Sequence, residues 1–174
     1  MVNKRFPLGL IGFLLILALL LGSTTQATAE TLNYKLFNHV TKAEVFPIPD
    51  AEGHEVTVTT REGVNRFENG EMAWVKAIII RDGTKTAWSF DQYVMMTFND
   101  GSIIVTRTKG AAQPTATAGA LSTKWTGEII HGTGRFQGIK GTSTSSGKVL
   151  PPEKGELGGK SLGEGIIEFT LPPK

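Results

Sequence analysis

The sequence predicts an all-β protein, a single small antiparallel barrel preceded by a cleaved signal peptide. Three observations support this prediction. Beyond Ala29 no stretch keeps the apolar spacing of an amphipathic helix, whereas several runs are rich in β-branched and aromatic residues. The dipeptides Asn69-Gly70, Asp82-Gly83 and Asp100-Gly101 separate the central runs and favour tight hairpin turns. The chain also has 21 glycines, which permit the bends of a closed sheet.

The first 29 residues have the pattern of a secretory signal peptide. Lys4 and Arg5 precede an uncharged apolar run from Phe6 to Leu21, and Ala27-Thr28-Ala29 is the small-x-small pattern that a signal peptidase cleaves. The run is short for a bilayer-spanning helix, and polar residues follow it directly. We therefore predict a signal peptide at 1–29, a mature domain at 30–174 without a membrane anchor, and a secreted or periplasmic protein. A retained N-terminal anchor is the alternative.

The charge balance of the mature domain argues against a polyanionic partner. The chain has 18 Lys and Arg residues and 16 Asp and Glu residues, and two of the basic residues lie in the signal peptide, which leaves 16 of each sign. The basic residues are scattered, so neither nucleic acid nor an anionic membrane surface is an expected partner. The absence of Cys excludes thiol catalysis and Cys-ligated zinc.

The extended runs are bounded by Gly, Asn and Asp, as expected for strands joined in an antiparallel meander. The predicted strands are an opening one at 32–36, then Glu55–Thr60, Met72–Arg81, Thr84–Phe98, Ser102–Thr108, Trp125–Ile130 and Gly163–Leu171. Two segments are predicted to be loops, Gly110–Ser122 and Pro151–Lys160. Loops of this length are either functional, such as a lid over a barrel mouth, or disordered connections.

A glycine-rich stretch resembles a known family. The residues Ile130-His-Gly-Thr-Gly-Arg-Phe-Gln-Gly-Ile-Lys-Gly141 resemble the Gly-Gly-Thr-Gly-x-Phe-x-x-x-x-Gly signature of plant dirigent proteins and the related pattern of allene oxide cyclases. Upstream, Tyr93-Val-Met-Met-Thr-Phe-Asn-Asp-Gly-Ser102 is similar to a strand–turn–strand of small barrels in this superfamily. The resemblance implies an eight-stranded, calycin-like barrel with an apolar cavity, often trimeric. His131 stands where these families usually have Gly, and no catalytic residue is carried over.

The glycines of this stretch permit a tight turn, after which Phe136 is expected to plug one end of the core. A phosphate-binding loop is the rival interpretation. It lacks the Lys-Ser/Thr pair of such loops and a following helix.

A two-residue turn at each of the three dipeptides predicts which side chains face the interior. It places Ala77 opposite Trp88, Met96 opposite Val105 and Arg66 opposite Ala73, and cross-strand partners share a face. The apolar members of the predicted interior are Val75, Ile79, Trp88, Phe90, Val94, Met96, Phe98, Ile103 and Val105.

The same register also turns cations inward, which suggests a binding site. Arg66, Gln92 and Lys109 fall in one interior row, and Arg107 lies opposite Val94. Unpaired buried cations cost several kcal/mol, so they must be solvated, paired or bound to a ligand. We predict a basic rim around an apolar pocket for an amphipathic carboxylate, and the predicted pocket residues are Trp88, Phe90, Gln92, Met96, Arg107 and Arg66. A β-bulge is the alternative, because a one-residue slip sends these cations to solvent.

The opposite face of the same strands keeps an apolar patch, formed by Trp74, Ile78, Ile80 and Met95. Such a patch suggests a subunit interface or a covering segment. The alternative is a central strand buried on both sides.

The remaining candidates for chemistry are weak. Asp50, Glu52, His54 and Glu55 could ligate a cation, but they lack a recognised ligand spacing and lie beside prolines, as in a solvated loop. No nucleophile elbow, His-Glu-x-x-His pair or dinucleotide fingerprint is present. We predict neither a metal nor a cofactor.

The leading functional hypothesis is an exported barrel that binds an apolar or amphipathic small molecule. The first alternative is a cyclase-like or dirigent-like enzyme that holds a reactive ligand in one conformation. The second is a structural homo-oligomer with a filled core, a trimer by resemblance.

Overall fold

The structure is a computed structural model that describes residues 28–84 and 88–173. Most of the predicted signal peptide therefore lies outside the described residues, as do positions 85–87. The described residues form eight strands and one short 3-10 turn, the latter at Gly134–Phe136. The strands are β1 Ala29–Pro47, β2 Glu55–Phe67, β3 Met72–Gly83, β4 Trp88–Phe98, β5 Ile103–Pro114, β6 Leu121–Gly132, β7 Lys140–Val149 and β8 Ser161–Thr170.

The eight strands close into one antiparallel barrel in sequence order. Each strand pairs with the next, and β1 pairs with β8, for example through Tyr34 opposite Gly165. Closure satisfies the backbone hydrogen bonds of β1 and β8 and leaves no free edge in the sheet that the described residues form. The predicted all-β antiparallel barrel is confirmed. No helix in the described part of the chain is long and apolar enough to cross a bilayer.

The meander gives the barrel two unlike ends. The connections after β2, β4 and β6 meet at one end, which we call the closed end; those after β1, β3, β5 and β7 meet at the other, the open end. The buried apolar cluster includes many large side chains from the closed half of the barrel. Its members include Phe67, Phe98, Ile104, Ile129, Phe136, Ile139, Ile167 and Phe169.

Phe136 plugs the closed end, as the sequence predicted. Its side chain is only 4% exposed, and its ring centroid lies 4.9 Å from that of Phe98 and 6.1 Å from that of Phe169. Arg135 covers the plug from outside: its guanidinium stacks over the Phe98 and Phe136 rings and donates to both carboxylate oxygens of Glu71, at 2.7 and 2.9 Å. This ion pair holds the pKa of Glu71 below its usual value.

Two hairpins have three-residue loops where the sequence predicted two-residue turns. In the first, the Phe67 amide donates to the Glu71 carbonyl and the Gly70 amide donates to the Phe67 carbonyl. The second repeats this pattern with Phe98, Ser102 and Gly101. Gly70 and Gly101 have φ of +87° and +79°. This geometry is that of a type I turn followed by a left-handed glycine, for which glycine is strongly favoured.

The extra loop residue shifts both registers by one position. Met96 pairs with Ile104, not Val105, and Arg66 pairs with Met72, not Ala73. Because a one-residue shift exchanges the two faces of a strand, the predicted inward orientation of Ile103, Val105, Arg107, Lys109 and Arg66 is wrong. Ile104, Thr106, Thr108 and Ala112 are the buried residues of β5.

The third predicted turn is also misplaced, but without changing the faces. Asp82 and Gly83 remain inside β3, where Gly83 pairs with Trp88, and Ala77 pairs with Val94 instead of Trp88. The displacement is an even number of residues, so the inward residues stay inward. Val75, Met96 and Phe98 are buried, and Ile79, Trp88, Phe90 and Val94 line the interior as predicted.

The two predicted loops have different outcomes. Most of Gly110–Ser122 belongs to β5 and β6, which extend to Pro114 and from Leu121, so it is neither a long lid nor a disordered connection. Pro151–Lys160 contains no strand and lies at the open end. β7 was not predicted at all.

Candidate functional site

A cavity of about 170 Å³ occupies the open half of the barrel. One wall is apolar, with Trp88, Phe90 and Val94 from β4 and Trp125 from β6. The Phe90 and Trp125 rings meet edge to face, with centroids 6.4 Å apart. The cavity therefore offers a largely aromatic surface to a ligand that enters from the open end.

The other wall is polar and comes from the inward positions of β2. Thr57, Thr59 and Arg61 alternate along the strand, and the β2–β3 register places Thr57 beside Arg81 and Arg61 beside Ala77. Successive inward residues of a strand are two positions apart, so these three side chains form one stripe from the mouth inward. The cavity is consequently amphipathic across its width.

Arg61 is a mostly buried cation without a carboxylate partner among the described residues. Its Nη1 donates to Asn38 Oδ1 at 3.2 Å, to the Gly159 carbonyl at 3.0 Å and to Ser161 Oγ at 2.6 Å. All three acceptors are neutral, and burial lowers the pKa of Arg61 to about 10. These hydrogen bonds all use Nη1, so the donors on Nε and Nη2 remain available to a ligand.

The second arginine of the cavity wall is neutralised. Arg81 forms an ion pair with Glu55, and its guanidinium lies 4.7 Å from the ring centroid of Trp88. Both contacts hold Arg81 against the wall at the mouth. Arg61 is thus the cavity-lining cation whose charge is not balanced by a described acidic residue.

The structure separates the predicted pocket residues into two groups. Trp88, Phe90, Gln92 and Met96 line the cavity, and Gln92 and Met96 are buried. Arg107 lies outside the barrel, 5.7 Å from the ring centroid of Tyr93. Arg66 and Lys109 are also exposed, and both line a surface groove of about 1060 Å³ that crosses β7. The basic group of the cavity without an acidic partner among the described residues is therefore Arg61. The predicted two-residue turn at 69–70 would place its side chain on the outer face.

Comparisons with solved structures support this architecture. The chain superposes on the pterocarpan synthase dirigent protein GePTS1 with a TM-score of 0.50 and 12% sequence identity, over 99% of this chain and 100% of that one. The corresponding values for the pterocarpan synthase dirigent protein PsPTS1 are 0.50 and 12%, over 85% of this chain and 99% of that one. The barrel is dirigent-like. At this identity the likeness shows the fold alone.

No family model and no curated protein sequence matches the chain. The resemblance to dirigent proteins that the glycine-rich stretch indicated is therefore a similarity of fold.

The inner end of the cavity of this dirigent-like barrel contains a buried phenol. Tyr34 on β1 makes a hydrogen bond of 2.6 Å with Ser145 Oγ on β7. A Cβ at Gly165 would lie 2.5 Å from the Tyr34 ring, so the glycine makes room for this side chain. Burial raises the pKa of Tyr34, so the phenol stays protonated and neutral.

The predicted acidic cluster is only partly assembled. His54 Nδ1 lies 2.5 Å from Asp50 Oδ1, and His54 Nε2 lies 2.7 Å from Asp82 Oδ1. Asp82 was not part of the predicted cluster, and it comes from the end of β3. Among residues 28–84 and 88–173, no group of three or more His, Asp or Glu side chains is arranged to hold a metal ion.

The predicted apolar patch lies on the outer face of β3 and β4 of the dirigent-like barrel. Trp74 is 68% exposed, and Ile78, Ile80 and Met95 are also exposed. Tyr93 extends this surface through its pairing with Ile78. The alternative of a strand buried on both sides is wrong, and association of copies through this face stays a prediction.

Proposed function

We propose that this protein binds a small amphipathic carboxylate in the open half of its barrel. The observation that supports the proposal is Arg61, a mostly buried guanidinium with neutral hydrogen-bond partners beside an aromatic wall. A carboxylate is the natural counter-ion, because it accepts two charge-assisted hydrogen bonds from a guanidinium. The aromatic wall would receive the apolar body of the same ligand.

The volume of the cavity limits the size of the ligand. An engineered protein cavity of about 150 Å³ is known to bind benzene. The cavity here, about 170 Å³, therefore suits a single ring or a medium-length alkyl chain, with further atoms extending into the mouth. A long acyl chain does not fit inside without movement of the wall.

The energetic gain from a carboxylate follows from the lowered pKa of Arg61. Each unit of pKa corresponds to about 1.4 kcal/mol, so burial disfavours the charged guanidinium by roughly 3 kcal/mol. A bound anion offsets this penalty, whereas a neutral ligand of the same shape does not. The barrel should therefore discriminate strongly between an acid and the corresponding alcohol.

Replacement of Arg61 with Met is expected to remove this discrimination. The native protein should bind octanoate at least about tenfold more tightly than octanol, since a hydrogen bond to a charged group contributes about 1.5–3 kcal/mol. In Arg61→Met the two affinities should become similar. Tryptophan fluorescence reports the binding, because Trp88 and Trp125 line the cavity.

Arg107→Met is the matched control, since Arg107 lies on the outer face against Tyr93. We expect it to retain the preference for octanoate. Equal affinity of the native protein for the acid and the alcohol, or an unchanged preference in Arg61→Met, would contradict the proposal.

We also propose that the protein is exported. The support is the coincidence of two boundaries: the predicted cleavage follows Ala29, and β1 begins at Ala29. Cleavage there removes one residue from the barrel and keeps Glu30 opposite Phe169. Intact mass of the protein from its native source is expected to correspond to a chain that starts at Glu30. A chain that retains residues 1–29 would contradict export with cleavage.

A further inference from the structure

We propose that His54 is a proton-operated latch on the mouth of the cavity, which slows ligand exchange when the imidazole is protonated. The latch consists of His54 with Asp50 and Asp82. It regulates the same cavity as the proposed function and therefore rests on that proposal.

The latch joins two elements of the open end. His54 precedes β2, Asp50 lies in the connection between β1 and β2, and Asp82 lies near the end of β3. The connection is compact, because the Ile48 amide donates to the His54 carbonyl and the His54 amide donates to the Ala51 carbonyl. The His54 side chain thus ties the tip of this connection to the neighbouring strand.

The two contacts require a protonated imidazole. Nδ1 and Nε2 each face a carboxylate oxygen, at 2.5 and 2.7 Å. An imidazolium donates from both nitrogens, whereas a neutral imidazole donates from one and presents a lone pair on the other. Loss of the proton therefore sets a lone pair against one carboxylate and breaks one of the two links.

The surrounding charges set the direction of the pH dependence. The hydrogen bonds to Asp82 and Asp50 raise the pKa of His54 above the usual value of 6.5, and the bond to His54 lowers the pKa of Asp50. The other described charged residues within two positions of these three are Glu52, Glu55 and Arg81, of which Glu55 and Arg81 pair with each other. At a pH equal to the usual pKa of histidine, His54 is therefore protonated, both aspartates are ionised and the latch is closed. The latch opens as the pH rises through the raised pKa of His54.

The latch is connected to the cavity wall through the backbone at the start of β2 and the end of β3. His54 and Asp82 are chain neighbours of Glu55 and Arg81, which form the ion pair at the mouth. Arg81 in turn stacks on Trp88, and both line the cavity. Opening of the latch frees the end of this chain of contacts and loosens the wall past which a ligand must move.

The decisive experiment measures two rates on the native protein at pH 6 and pH 9. Hydrogen exchange of the Ile48 and His54 amides reports the latch without any ligand, and stopped-flow tryptophan fluorescence reports the release of octanoate. We expect both rates, corrected for intrinsic exchange chemistry, to rise about fivefold or more at the higher pH. In His54→Gln, which cannot carry the charge, the rates should be high and independent of pH.

His131→Gln is the matched control, because His131 is exposed at the closed end of β6, away from the mouth. It should keep the native pH dependence. Unchanged amide exchange between the two pH values, or a pH dependence that survives in His54→Gln, overturns the latch. If octanoate fails to bind at all, the proposed function fails, while the exchange measurement still decides whether the latch exists.

Discussion

Replacement of Phe136 with Ala is expected to lower the free energy of unfolding by about 3–5 kcal/mol. The side chain is almost fully buried, and its ring packs against Phe98 and Phe169 at the closed end. Truncation removes these contacts and leaves a cavity that the neighbouring strands cannot fill, because the hydrogen bonds of a closed barrel fix their separation. Arg135 would also lose one of the two rings on which it stacks.

Urea denaturation followed by far-ultraviolet circular dichroism measures this loss. Phe46→Ala is the control, since Phe46 is 49% exposed near the end of β1, and surface substitutions change stability by about 0.5 kcal/mol or less. A loss below about 1 kcal/mol in Phe136→Ala would show that the closed end does not depend on its plug.

Replacement of Gly127 with Ala is expected to destabilise the barrel by about 3 kcal/mol or more. A Cβ at this position of β6 would lie 2.0 Å from the Arg107 carbonyl oxygen and 2.5 Å from the Thr108 Cα. Both atoms belong to the backbone of β5, so no side-chain rotation relieves the overlap. The two strands must separate, which strains the hydrogen bonds between β5 and β6.

Gly101→Ala provides the comparison for Gly127→Ala. A Cβ at Gly101 meets no atom within 4 Å, and only the left-handed φ of +79° is unfavourable. A loss of about 1 kcal/mol is expected there. Equal losses in the two variants, measured by thermal unfolding, would show that strand proximity at Gly127 is not the limiting contact.

Sequence patterns were sufficient to predict the barrel architecture and the inward-facing residues of β3 and β4. Runs of β-branched and aromatic residues separated by turn residues predict an antiparallel meander. The predicted turn between β3 and β4 places Val75, Phe90 and Met96 on one face, and all three line the cavity. An error in the turn between these strands left the faces intact, because it displaced the register by an even number of residues.

The register of β2 and β5 was not predictable from the turn residues. Asn69-Gly70 and Asp100-Gly101 fit the two central positions of a two-residue turn, and they fit the last two positions of a three-residue loop equally well. In the structure the Asn69 and Asp100 side chains accept hydrogen bonds from the amides two residues later, which stabilises the longer loop. Because of this one-residue difference, Thr106 and Thr108 face the inside of the barrel, and Arg107 faces outward.

β7 was missed because its sequence, Lys140–Val149, contains no large apolar residue before its last position. Its neighbours stabilise it instead. Inward-facing Ser145 bonds to Tyr34, and outward-facing Thr144 bonds to Thr126 of β6. The hydrophobicity of its own sequence does not predict such a strand, because contacts with the neighbouring strands of the barrel stabilise it. The inward orientation of Arg61 was not predicted either, because it depends on the length of the loop that follows β2.

The connections at the open end lie far from the Phe136 plug at the closed end, and this separation affects how the scaffold can diversify. The connections around the mouth lie at the opposite end of the barrel from Phe136 and the rings that pack against it. Substitutions or insertions near 48–52, 115–118 and 151–157 can therefore alter which molecules enter without endangering folding. A library randomised only in those three segments should yield mostly folded members with varied ligand preferences.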